Sequence, residues 1–159
     1  MLRRITPAEI PHFYDMLYKP YIEELRQYGG CDGMTLSRLI YHLSHKPMEA
    51  LVFDVNGSDA GFVIIEHVSN EELYVPMDYI IEFYVRGDCR RKGIGSEAFS
   101  ELLEMTDRPF FFTVLPRNEG ASAFWRRQIA LHDLRPVRPD LGQIRFAGNA
   151  QLFCLRKSR

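Results

Sequence analysis

The spacing of apolar residues changes period along the chain, and each change marks a change of structure. From Thr6 the spacing is helical, and Thr6-Pro7-Ala8-Glu9 reads as a capping box with proline at the first helical position. This helix is expected to stop near Lys19-Pro20, because the residue before a proline disfavours helical backbone. A second short helix, Tyr21 to Tyr28, should end at Gly29-Gly30. After a loop from Gly29 to Gly33 that carries Cys31, Leu36, Leu39, Ile40 and Leu43 space a third helix, which stops before Pro47.

From Ala50 the period becomes two. Leu51 to Val55 and Ala60 to Val68 read as strands joined by Asn56-Gly57-Ser58-Asp59, a hairpin signal. The run from Leu73 to Val85 reads as a long strand interrupted by Pro76, placed where no ladder donor is needed. A helix with Phe99, Leu102 and Leu103 follows from Ser96 to Met105. Phe110 to Leu115 is a fully buried strand, made parallel to its predecessor by the crossover helix. Pro116 to Gly120 is a turn, Ala121 to Leu131 a helix with the single tryptophan, His132 to Arg138 a strand, Pro139 to Gly142 a turn, and Gln151 to Arg156 a last strand. The pattern predicts one α/β domain over residues 1–159, with a mixed sheet.

Composition narrows the class. At 159 residues and 46% apolar content the chain has material for one ordinary core. The net charge of −1, from 20 Lys+Arg against 21 Asp+Glu, argues against a nucleic-acid partner, although arginines concentrate from Arg86 to Arg127. Three widely spaced cysteines, Cys31, Cys89 and Cys154, read as free thiols of a reducing compartment. No stretch is apolar enough for a signal peptide or a membrane span, so a soluble, cytoplasmic protein is expected. His42 and His45 stand one helical turn apart without a third ligand at metal spacing, and no metal site is expected.

The stretch from Tyr79 to Met105 carries the chemistry. Between its strand and its helix lies Arg90-Arg91-Lys92-Gly93-Ile94-Gly95, two glycines beside three cations at a helix N-terminus. Backbone N–H groups there can point at an anion, and a phosphate suits the site. Alone, Arg-x-x-Gly-x-Gly is a weak signal. With the preceding strand, the following helix and buried strand, and then Asn118-x-x-Ala121-x-x-Phe124-Trp125, it resembles the GCN5-related N-acetyltransferase (GNAT) superfamily.

The resemblance implies an acyl-CoA N-acyltransferase fold of three layers, α/β/α, and acetyl-CoA as cosubstrate without a metal. It implies pyrophosphate held by N–H groups from Arg91 to Ser96, with Gly93 and Gly95 permitting close approach, and with Arg90, Lys92 and Ile94 in the same loop. Phe83, Tyr84 and Val85 would pair with the pantetheine arm along their backbone, and the Val85 amide would polarise the thioester carbonyl. Asn118 would contact the cofactor from the other side.

Direct attack by an amine needs a base. Glu82, alone among apolar neighbours, is the first candidate, and its alternative is a half-exposed strand residue or an arginine's partner. The resemblance expects a tyrosine, donor of the thiolate's proton, at the position of Trp125. An indole there can pack against pantetheine or belong to the core, but it has no proton to give at neutral pH. Tyr84, Tyr79 or solvent could take that role. The expected function is acetyl transfer to a primary amine of a small molecule, peptide or protein, by a monomer or homodimer. The alternative is a non-catalytic acetyl-CoA-binding or regulatory module. Tyr14, Tyr18, Tyr21 and Tyr28 give the first helices an aromatic face, assigned to enclosing the acceptor.

Overall fold

A computed structural model describes residues 1–30, 32–69, 76–137 and 150–158. Cys31, Leu73 to Val75, the end of the expected strand at Arg138 and the turn from Pro139 to Gly142 lie outside the described residues. Among the described residues seven strands form one sheet in the order β1-β2-β3-β4-β5-β7-β6. They are β1 (Leu2–Arg4), β2 (Met48–Val55), β3 (Ser58–Val68), β4 (Met77–Val85), β5 (Phe110–Val114), β6 (Leu134–Pro136) and β7 (Gln151–Lys157). The apolar pattern does not predict the first; its three residues pair antiparallel with β2 at the sheet edge. Among the described residues only β4 and β5 run parallel, as the crossover helix between them requires.

Period-two alternation sorts the side chains of β2 and β3 between two cores. Leu51, Phe53, Val63 and Ile65 face α4 (Ile94–Met105) and α5 (Glu119–Leu131). Ala50, Val52, Phe62 and Ile64 face α1 (Ile10–Phe13), α2 (Lys19–Arg26) and α3 (Leu36–His45). Helices therefore cover both faces of the sheet, and the expected three layers are present. The hairpin turn at Asn56 and Gly57 has φ of 53° and 80°, the left-handed pair that an Asn-Gly turn supplies. Among the described residues no helix is long and apolar enough to cross a membrane.

The predicted break at Lys19-Pro20 does not occur. After a 3-10 turn (Pro7–Glu9) and α1, the segment Tyr14–Tyr18 widens into a π turn, and α2 continues through Pro20. Lys19 N–H reaches back five residues to Tyr14 C=O, so the ladder is already offset where proline has no donor. Tyr18 and Tyr21 thereby share one continuous buried face with Phe13 and Leu17.

Candidate active site

Beyond Asp78↔Phe110 and Tyr79↔Phe111, β4 and β5 form no further pairs among the described residues, while β5 stays paired with β7 along its whole length. The separation begins beside a bulge. Ile64 pairs with Glu82 and Ile65 with Ile80, which leaves Ile81 extra and bends β4. The gap opens into a cleft of about 420 Å³ bounded by the end of β4, the turn before α4, the start of α5 and one face of α2.

The backbone at the end of β4 is aimed into this gap. Arg86 N–H bonds Ala60 C=O, and alternate residues of an antiparallel ladder face opposite ways, so the N–H and C=O groups of Phe83 and Val85 point away from β3. Val85 C=O accepts from Arg90 Nε at 2.9 Å, which leaves its N–H as the group available to a ligand. Phe83 and Val85 pack toward α4 and α5, while Tyr84 packs toward α2, as alternation predicts.

Gly93 is the N-cap of α4, and the helix's first internal bond joins Glu97 N–H to Gly93 C=O. The N–H groups of Ile94, Gly95 and Ser96 precede that ladder and make the helix end an anion cradle. The two glycines meet different demands within the protein itself. Gly93 has φ of 79°, a left-handed backbone, and a Cβ there would meet nothing within 4 Å. Gly95 lets α4 lie against its neighbours, since a Cβ would stand 3.1 Å from Phe124 and 3.2 Å from Val85.

Phe83, Tyr84, Val85, Arg90, Arg91, Gly93, Ile94, Gly95, Ser96, Asn118 and Trp125 all line the cleft. Lys92 does not; its Nζ donates to Asp88 C=O on the loop. Asn118 caps α5, its Oδ1 accepting from Ala121 N–H at 3.1 Å, which leaves its amide N–H groups as donors. Trp125 is both wall and core: it stacks on Phe112 at 4.1 Å and meets Phe83 and Phe99 edge-on.

Glu82 is not on the cleft wall. Its carboxylate keeps little contact with solvent and accepts a hydrogen bond from the Tyr21 phenol. Burial pushes its pKa up to about 7, opposed by that hydrogen bond. Burial also raises the Tyr84 phenol, helped by Glu24, so Tyr84 stays protonated at neutral pH. Tyr79 stacks flat on Phe111 at 4.6 Å, at the closed end of the strand pair and off the cleft wall. Sequence reasoning missed Glu24, which pairs with Arg90 at 2.6 Å, and Arg127, which adds a cation from α5. Both are ordinary exposed-face helix charges in sequence, and only the approach of α2 and α5 to β4 brings them to the site. Among the described residues no cluster of three His, Cys, Asp or Glu side chains could hold a metal ion.

The cleft's backbone donors, helix end and arginines, with an apolar wall of Phe83, Phe124 and Trp125, fit an extended, phosphorylated thioester. The fold matches solved acetyltransferases. One from Thermus thermophilus aligns with a TM-score of 0.68 at 19% identity, covering 98% of this chain and 94% of that one. A putative acetyltransferase from Bacteroides thetaiotaomicron aligns at 0.59 and 16% identity, covering 100% and 87%. An aminoglycoside acetyltransferase from an uncultured soil metagenomic sample, solved with sisomicin, aligns at 0.62 and 15%, covering 80% and 86%. No curated protein matches the chain. The profile of the Acetyltransferase (GNAT) family matches residues 12–129, and the chain belongs to that family.

Proposed function

We propose that the chain, as one domain, is an acetyl-CoA-dependent N-acetyltransferase that passes the acetyl group to a primary amine by direct attack. The observation that carries this reading is the cleft at the end of β4, beyond the point where its pairing with β5 stops, walled at once by Val85 and the N-terminus of α4. Acetyl-CoA would bring the activated thioester. The N–H groups of Ile94, Gly95 and Ser96 would hold its pyrophosphate, with Arg90 and Arg91 beside them. Val85 N–H would donate to the thioester oxygen as negative charge grows there. An amine arrives protonated, and Glu82, raised toward neutrality by burial, is the base that accepts its proton. The protonated phenol of Tyr84 stands on the cleft wall and can supply the thiolate's proton in place of the tyrosine absent at Trp125.

The acceptor is a small-molecule amine or an amine of a peptide or protein. Sisomicin, the partner of one structural neighbour, belongs in the first panel with polyamines and lysine peptides. Acetyl-CoA at millimolar concentration should raise the melting temperature, and thiol release with an active amine should follow. A second reading, a non-catalytic acetyl-CoA-binding module, is favoured by Trp125 in the place of the usual acid. Stabilisation without thiol release across the panel would select it, and no stabilisation would remove both.

A further inference from the structure

The base proposed above and the space where an acceptor would lie are separated by one side chain. Glu82 is half-buried on the side of the sheet that carries α2, and it does not line the cleft. Tyr21, on α2, lines the cleft and donates its phenol hydrogen to the Glu82 carboxylate. The tyrosine is 9% exposed and its ring is clamped, edge-on to Phe62 at 5.5 Å and against Tyr84 at 5.1 Å. Held in this way, one side chain both lines the cleft and bonds the carboxylate, which gives a proton bound for Glu82 a path.

We infer that Tyr21 is a catalytic residue of the acetyl transfer, relaying the acceptor ammonium's proton from the cleft to Glu82. The inference rests on the amine-acetylation reading. The balance is closed. The phenol oxygen takes one proton from the ammonium while the phenol's own proton passes to the Glu82 carboxylate, leaving a neutral amine, a neutral tyrosine and a carboxylic acid. The amine nitrogen then forms the bond to the acetyl carbon as the carbon–sulfur bond breaks. Tyr84 gives the departing thiolate its proton, the second nitrogen proton restores the Tyr84 phenol, and Glu82 returns its proton to solvent.

A phenol that only packs would not sense the basicity of the acceptor; a relay does. Strongly basic amines need it, whereas a weakly basic amine, already neutral at assay pH, does not. Tyr21→Phe keeps the clamped ring and removes the oxygen. With strongly basic acceptors it should lower kcat by about 10²-fold, the scale of general-base assistance. The KM for acetyl-CoA should stay within about twofold, and with weakly basic arylamines the loss should shrink toward none. Glu82→Gln should show the same dependence, and the double variant should be no slower than the slower single one, because both remove one path. Infrared titration of the Glu82 carboxyl, without acetyl-CoA, supplies a readout independent of turnover. Its midpoint should rise in Tyr21→Phe, since the lost hydrogen bond favoured the charged form. A Tyr21→Phe enzyme with unchanged kcat on strongly basic amines, or a loss equal for all amines, overturns the relay and leaves the transferase standing. A wild-type protein that binds acetyl-CoA and acetylates no amine overturns both.

Discussion

Arg90 Nη2 stands 2.6 Å from the Glu24 carboxylate, so a turn residue before α4 is tied to α2 across the cleft. The same guanidinium donates to Val85 C=O and lies 5.5 Å above the Tyr84 ring. Because the pair is partly exposed, Arg90→Ala should cost no more than about 1 kcal/mol of stability. Its removal should weaken acetyl-CoA by about tenfold, the worth of one charge-assisted contact. Glu24→Gln frees the arginine for phosphate and should leave affinity equal or tighter. Calorimetric titration of both variants decides; equal weakening would mean that Arg90 serves the fold and not the cofactor.

Gly93 and Gly95 should fail differently when given a side chain. Alanine at Gly93 has space but must hold a left-handed backbone, at a cost of about 1–2 kcal/mol. Alanine at Gly95 presses on Phe124 and Val85, and overpacking of that kind costs about 1–3 kcal/mol. Asparagine, which tolerates left-handed backbone, should recover part of the loss at Gly93 and none at Gly95. Denaturant melts of the four variants test this, and asparagine helping at both sites would contradict it.

Gln128 is fully buried, its Nε2 donating to Ser96 Oγ at 2.7 Å while its Oε1 has no hydrogen-bond partner among the described residues. An unpaired buried oxygen costs about 1–3 kcal/mol, comparable to what the single hydrogen bond returns. Gln128→Met, of similar shape, should therefore change stability by less than about 1 kcal/mol. Gln128→Ala, which leaves a cavity, should cost about 2 kcal/mol or more. A methionine variant as unstable as the alanine one would show that the hydrogen bond dominates.

Stability and activity should move in opposite directions with pH. Unfolded, Glu82 titrates near 4.5, and folded near 7, so between these values the native state holds the extra proton and stability falls as pH rises. The full effect is roughly 3 kcal/mol, complete above the folded value. His67, raised by Asp78 and Glu49 against the effect of burial, adds a loss of the same sign above its ordinary range. Glu9, held down at about 2 by the Thr6 backbone and Arg3, acts at the acid end, where its stability is lost as pH falls from 4.5. Melting temperature should thus decline from mildly acid to mildly alkaline pH, and Glu82→Gln should flatten that decline. Turnover should instead rise through about pH 7 as Glu82 ionises. A Glu82→Gln melting profile parallel to wild type would remove the carboxylate from the account.

Much of this protein is local chemistry and could be read from the chain. The Asn56-Gly57 hairpin and the turn from β4 into α4 depend on neighbours within a few residues, although α4 opens at Ile94 and not at the expected Ser96. Local reasoning erred at Pro20, because the π turn that absorbs the missing donor depends on how Tyr14 to Tyr18 pack against the sheet. The edge strand β1 was too short to announce itself and exists only through pairing with β2. The sequence alone determined the family pattern, the order of strand, basic turn and helix, and the place of Glu82 in β4. Only the tertiary structure decided that this carboxylate lies behind Tyr21, that Arg90 is tied to Glu24, and that Gly95 is a packing residue. The physical reason is distance along the chain: these contacts join α2 or α5 to β4 and α4, and no periodicity encodes which helical face will meet which strand.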